Sequence, residues 1–382
     1  MPDAPTPGQC WIMGAMRVLI APDKFAGTLT AVQAAEAIAA GWRRQAPDDD
    51  LDLAPMADGG PGFVDVLHEA LGGDLVAVTV RGPHGGPVPA VVLRVGDTAY
   101  VESAQAAGLH LCGSGSGSGS GSVETASSAG VGELVLAAVE DGATTVVVGL
   151  GGSGTNDGGA GVLAALGATA DGVLDGGPAA LAAVTSVDLS PARARLAGVT
   201  LVAASDVDNP LTGLFGATKT FGPQKGLAED RIAEVDGWLE SFAAATDRRT
   251  SLEKGAGAAG GIGYALLALG ATREPGIALV AEAVSLAARA RAADLVVTGE
   301  GAFDFSSRAG KVPYGVAGIA SEALRPCVAL AGQVLVGSRE MRALGIESAY
   351  SLVELVGEER ALGAPADALA DLAARVARTW SR

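Results

Sequence analysis

The chain reads as an α/β protein: a three-layer domain around a parallel sheet, split between the two chain ends, with a second α/β domain inserted between them. Three observations lead to that expectation. At both ends short apolar runs alternate with helical segments, as in RVLIAPD followed by TAVQAAEAIAAGW. In the middle the rhythm breaks into short strands separated by GPHGGP and GD, turns that suit an antiparallel meander. Clusters of glycine with polar residues fall just after apolar runs, at the carboxyl ends where parallel sheets hold ligands.

The elements follow in order. Arg17–Asp23 is a buried strand ending in a polar turn, and Thr30–Trp42 is a helix with a threonine cap. DLDLAPMADGG gives a second strand closed by Asp58-Gly59-Gly60, and Phe63–Leu71 is the next helix. Leu75–Val80, Val88–Val95 and Ala99–Glu102 form the meander, and Gly130–Asp141 is a helix leading into the valines after Thr145. Thr200–Ala204 is a strand ending at Ser205–Pro210; a polar helix spans 228–245, and an Ala/Gly-rich helix follows Gly255. From about Val280 the α/β rhythm returns: Leu295–Thr298 ends in GEGAFD, Cys327–Ala331 in GQ and Ala349–Leu352 in VE. The last helix, Pro365–Trp380, begins with the proline its first position favours.

This places the first domain at residues 16–73 and 283–382 and the second at 74–282. Residues 1–15 are expected to be a disordered extension with the fold starting near Met16, and GSGSGSGSGS at 113–122 a flexible loop.

Composition narrows the function. A length of 382 residues suits two domains, and an apolar fraction of 49% fills their cores. Aromatics at 4% and a net charge of −17 exclude a nucleic-acid platform, which needs stacking rings and clustered cations. Cys10, Cys112 and Cys327 are far apart and lack a CxxC partner, so neither disulfides nor zinc is expected and a cytoplasmic setting is. His68, His84 and His110 are equally scattered and suggest no metal site. No run of eighteen apolar residues predicts a membrane span, and the N-terminus lacks the basic region of a signal peptide.

The stretch TTVVVGLGGSGTNDGGAG, Thr144–Gly161, is the most informative. Seven of the thirteen residues from Gly149 to Gly161 are glycine, between an apparent strand and an apolar helix. Unpaired N–H groups at a helix start bind anions, and glycine lets the anion approach. Ser153, Thr155, Asn156 and Asp157 inside the run exceed what a structural turn requires.

Gly149-x-Gly151-x-x-Gly154 and Gly255-x-Gly257-x-x-Gly260 both fit a dinucleotide fingerprint, but such matches come cheaply among 56 glycines. The second has no preceding strand, and close packing is the favoured reading of Gly255–Gly263. No GxxxxGK[ST] is present.

Asp58, Asp206, Asp208, Glu300 and Asp304 all read as lying in Gly- or Pro-rich turns. Singly each suits an Asx-turn or cap; converging on one edge they suggest Mg²⁺ held by carboxylates and phosphates. Lys225 in FGPQKG and Lys311 in AGKVPYG stand beside glycines in a lysine-poor chain, within reach of a phosphate or of solvent. Together these parts suit phosphoryl transfer.

The ordered motifs APDKFAGTLTA, PMADGG, GLGGSGTNDGGAG, SDVDNPLTGLFGA, FGPQKG, GAGAAGGIG, TGEGAFD and GKVPYGVA resemble the bacterial type I glycerate kinase family from Met16 onward. The resemblance implies ATP- and Mg²⁺-dependent phosphorylation of D-glycerate, with 2-phosphoglycerate the favoured product. It also implies a Rossmann-like domain interrupted by a second domain, with the active site in the cleft between them.

On that basis Asp206 is the first candidate base, Asp58 and Asp208 the candidates for Mg²⁺, and Lys225 and Lys311 for phosphate. Gly151, Gly152, Ser153 and Thr155 are expected to cradle an anion. Asn156, Asp157, Asn209, Asp23, Lys24, Glu300 and Asp304 are expected to bind substrate or phosphate. The chain departs from the family at Ala26 and Ala302, where relatives carry Lys and Arg, and at Ser306-Ser307, where they carry Gln-Thr. A 3-kinase, a kinase of a related hydroxy or sugar acid, and a non-catalytic phosphometabolite binder are the alternatives. A homodimer is left open.

Overall fold

The computed structural model describes residues 15–25, 27–112, 122–304 and 311–381. The expected extension short of Ala15, the Gly/Ser tract short of Ser122, Ala26 and Ser306-Ser307 lie outside the described residues. In chain order the first strands are β1 (Arg17–Pro22), β2 (Asp50–Leu53), β3 (Asp74–Arg81), β4 (Pro87–Val95), β5 (Thr98–Glu102) and β6 (Thr145–Gly149). The rest are β7 (Thr169–Ala170), β8 (Val187–Asp188), β9 (Thr200–Ala204), β10 (Thr272–Glu274), β11 (Leu295–Phe303), β12 (Cys327–Val334) and β13 (Ser348–Ser351).

The chain divides into two compact units. Described residues of 15–55, 286–304 and 316–381 make the first, and those of 56–285 and 311–315 the second.

The first unit holds a five-stranded sheet ordered β2-β1-β11-β12-β13, parallel throughout. Its direction of winding reverses between β1 and β11, the kind of point at which doubly wound sheets open a crevice at their carboxyl ends. Val18, Ile20, Leu295, Val297, Val328 and Leu330 form one core with Ile38 and Trp42 of helix Ala31–Gln45 and with Leu369, Leu372 and Val376 of helix Pro365–Trp380. Helix Ala31–Gln45 begins at the expected cap. The Thr30 hydroxyl accepts from the Gln33 N–H at 3.1 Å, and the Gln33 side chain accepts from the Thr30 N–H at 3.0 Å.

The second unit holds a mixed sheet ordered β3-β4-β5-β6-β9-β10. Strands β5, β6, β9 and β10 are parallel, and β3 and β4 add the antiparallel meander at one edge.

Two expectations need correcting. The boundary at 73 lies instead after Pro55, because helix Phe63–Leu71 packs on β4 and β5, with Phe63 edge-on to Tyr100 at 6.3 Å. Its buried residues Phe63, Val64, Val66 and Leu67 thus serve the second sheet. In the first sheet β11 and β12 run on past their glycines, with Glu300 opposite Ala331 and Ala302 opposite Gln333. GEG and AGQ look like turns in sequence, yet here glycine serves close backbone approach: a Cβ on Gly332 would run into the Gly301 carbonyl. Glu300 is therefore a strand residue, not a turn residue.

Candidate active site

In the second unit the carboxyl ends of β6 and β9 meet the Asp58–Pro61 loop and the start of helix Gly276–Ala283. A Cβ on Gly149 would lie 2.7 Å from the Gly59 carbonyl oxygen, and one on Gly151 2.6 Å from the Gly60 Cα. Glycine is required on both loops because backbone packs on backbone. Helix Gly276–Ala283 is tied in by Asp206, whose Oδ2 accepts from the Ile277 N–H at 3.1 Å.

Asp206 has a raised proton affinity. Burial raises its proton affinity, and the nearby charge of Asp58 raises it further. The Ile277 N–H and the positive charge of Arg273 pull it down, leaving a value of about 7. Asp58 accepts from the Gly60 N–H at 3.0 Å.

Asp208 differs. It is exposed, pairs with Lys254 at 3.0 Å and Arg273 at 2.7 Å, and the Lys254 hydrogen bond is the main cause holding its carboxyl below the ordinary range. Asn209 closes its own loop, donating to the Phe215 carbonyl at 2.7 Å and to the Thr220 hydroxyl at 3.3 Å.

The glycine run after β6 divides into two parts. In Gly151, Gly152 and Ser153 the N–H groups have no acceptor among the described residues, and Gly152 has φ +66°, the alternation that turns successive N–H groups toward one point. Lys225 is buried beneath this part, donating to the Ser153 hydroxyl at 3.1 Å and the Thr155 carbonyl at 2.6 Å, and burial lowers its ammonium to about 8.

The second part faces inward, against expectation. Thr155, Asn156 and Asp157 are fully buried. Asn156 donates to the Thr218 hydroxyl at 3.0 Å. The Asp157 carboxylate accepts from the Ser128 N–H and hydroxyl, both at 2.8 Å, and from the Gly159 and Gly161 N–H groups at 3.0 and 3.2 Å. It caps the short helix that sequence reasoning offered to an anion, so this carboxylate organises the loop and leaves no donor there for a phosphate.

GAGAAGGIG packs against the same loop. Gly158 N–H donates to the Gly260 carbonyl at 3.0 Å, and Gly260 has φ +68° with Thr155 and Asn156 backbone where a Cβ would stand. Gly260→Ala is expected to destabilise the protein by about 2–4 kcal/mol, combining overpacking with left-handed strain, as read from the midpoint of urea unfolding.

The remaining candidates separate by unit. Lys311 precedes helix Val312–Glu322, and its carbonyl accepts from Tyr314 and Gly315 at 3.2 Å. Asp23, Lys24, Glu300 and Asp304 belong to the first unit. There the Asp23 N–H donates to the Gly299 carbonyl at 2.8 Å, so the β1–β11 register carries buried Asp23 to the level of buried Glu300, at the winding reversal. Lys24 reaches the Asp23 carboxylate at 3.4 Å, and Asp304 follows the end of β11.

Two residues escaped the sequence reading. Arg273 on β10 donates to the Ser205 carbonyl at 3.2 Å and holds Asp208. Its signal was positional only, in a strand adjoining an acidic strand end. Glu102, buried at the end of β5, accepts from the Gly62 N–H at 3.0 Å and the Val64 N–H at 3.4 Å, closing the start of helix Phe63–Leu71. An acid ending an apolar strand was visible in VESAQ, the same signal that marked Asp206.

Residues 18–381 match the profile of the Glycerate kinase family. This chain belongs to the glycerate kinase family. It is 40% identical to a glycerate kinase of Bacillus subtilis (strain 168) over 349 residues, 88% of this chain and 90% of that one. It is 38% identical to a glycerate 2-kinase of Escherichia coli (strain K12) over 353 residues, 90% and 92% of the two chains. A crystal structure assigned to glycerate kinase 2 of Salmonella typhimurium LT2 superposes with a TM-score of 0.76 at 37% identity, covering 96% of this chain and 98% of that one. The α/β architecture and the sequence match agree, and the family makes the protein a phosphotransferase with an alcohol group as acceptor. Among the described residues no helix is long and apolar enough to cross a membrane.

Proposed function

We propose that the protein transfers the γ-phosphoryl group of ATP to a hydroxyl of D-glycerate, with Mg²⁺, and favours 2-phosphoglycerate. The observation that carries this reading is Asp206, a half-buried carboxyl at a strand end, held by the Ile277 N–H, whose proton affinity of about 7 matches that of a general base working near neutrality. Asp206 would take the hydroxyl proton as the oxygen forms its bond to the γ-phosphorus and ADP leaves. Its bond to Ile277 fixes one oxygen, so the carboxylate needs no reorientation. The N–H groups of Gly151, Gly152 and Ser153, with Lys225 behind them, suit a phosphate or carboxylate.

For Mg²⁺, the like charges of Asp58 and Asp206 are close enough to interact, and a cation would relieve them. Asp58 and Asp208 are the carboxylates proposed to hold the ion, and Asp208 would exchange its pairing with Lys254 and Arg273 for it. One or two carboxylates completed by substrate phosphates are a common magnesium environment. When bound, the ion would neutralise charge on the phosphate oxygens.

In the first unit, Asp23, Lys24, Glu300 and Asp304 are proposed to contact substrate or phosphate; in the second, Lys311 is proposed to reach phosphate. Ala302 is exposed and uncharged, which favours a wider choice of acid as the second reading. We place the enzyme in the cytoplasm, where its buried, unpaired thiols Cys112 and Cys327 would stay reduced.

The test is ADP release with ATP and Mg²⁺ across D-glycerate and related hydroxy acids, with the product identified by phosphorus NMR. D-glycerate should give the highest kcat/KM and 2-phosphoglycerate. No release above the blank with any acid would sink the proposal.

A further inference from the structure

The edge strand β3 presents an unpaired ladder. In an antiparallel pair, directly opposite residues either bond each other or both turn away. Val91, opposite Ala77, gives its N–H to the Gln105 side chain at 2.7 Å. Pro89, opposite Thr79, has no N–H to give. Arg81, opposite Pro87, sends its N–H to Glu133 at 2.7 Å. By this alternation Leu75, Ala77 and Thr79 direct their N–H and C=O groups away from β4, and among the described residues no strand pairs with that side.

Among the described residues, the outer side of β3 from Leu75 to Thr79 lacks the devices that normally protect such an edge. DLVAVTVR contains no lysine, proline or bulge, and its pairing with β4 is unbroken from Asp74 to Arg81. Leu75 is 45% exposed, and Ala77 and Thr79 are exposed beside a groove of about 390 Å³ that they line with Pro89, Val91 and Gln105. Residues 75–80 carry no charge in a chain of −17, so two copies can approach here with least repulsion.

We propose that two copies of this chain pair through the outer edges of β3, antiparallel about a two-fold axis at Ala77, joining their second-unit sheets into one. This register sets Ala77 against Ala77 and Leu75 against Thr79 of the other copy, using all three outward residues. It also lays each exposed Leu75 beside Thr79 at the rim of the other copy's groove. One strand supplies both halves of an isologous contact, which closes at two copies.

Sedimentation equilibrium of the full chain at micromolar concentration tests this. The wild type should have twice the monomer mass. Ala77→Pro removes one outward N–H and leaves the β3–β4 ladder intact. Thr79→Lys keeps the backbone and adds a charge at the contact. Both variants should halve the mass while retaining the wild-type melting temperature and kinase turnover. A monomeric wild type, or a dimer that survives Thr79→Lys, overturns the proposal; the lysine variant decides should the proline variant fold poorly.

Discussion

Asp206→Asn is expected to lower kcat by about 10²–10⁴-fold while raising the melting temperature above neutral pH. The variant keeps an oxygen able to accept from Ile277, so the start of helix Gly276–Ala283 stays tied. What it loses is the capacity to accept a proton. With Asp206 as the proposed base, only its ionised carboxylate would be active, so kcat/KM should rise with pH through about 7. The variant's residual activity should lack that limb.

Stability runs the opposite way. The folded-state proton affinity of Asp206 lies above its ordinary value of 3.8, so its stabilising contribution is fully present below that value and is lost as pH rises through about 7. At pH 8 the wild type holds a half-buried negative charge near that of Asp58, which asparagine removes. Thermal melts at pH 5 and pH 8 should therefore show the variant's advantage only at the higher pH. A variant with full kcat and an unchanged pH profile would remove Asp206 from the chemistry and leave it a helix tie.

Asp157→Ala should have the largest effect on stability, about 3–5 kcal/mol. Four donors, from Ser128, Gly159 and Gly161, converge on one fully buried carboxylate, and alanine would leave them without an acceptor where water does not reach. Asparagine is a poor rescue, since its amide group adds a donor among donors. The loss should appear as a lower urea midpoint at unchanged m-value. Because the same loop carries Gly151–Ser153, surviving Asp157→Ala protein should bind ATP weakly when measured by calorimetry.

Local signals in the sequence were legible. Thr30 announced a capped helix, and Phe63–Leu71 and Thr200–Ala204 were read at the bounds the structure shows. What failed depended on distant partners. TNDGG looks like an exposed polar loop because nothing nearby reveals that Ser128 and Thr218 will bury Asp157 and Asn156. GEG looks like a turn until Leu330 and Ala331 lie alongside it. The candidate base was found from its strand end, but its raised proton affinity arises from burial and from Asp58, far away in the chain.

The pairing of β1 with β11 has a consequence for how the chain is made. Strands β1 and β2 are made before the second unit, but their sheet is completed only by β11, β12 and β13, which are made after it. The second unit, nearly continuous in sequence from residue 56 to 285, is available to fold before that. The usual order of N-terminal part first is therefore inverted. Strands β1 and β2, with helix Ala31–Gln45 packed on them, must wait for β11, made after the second unit, before β1 gains its central neighbour in the sheet.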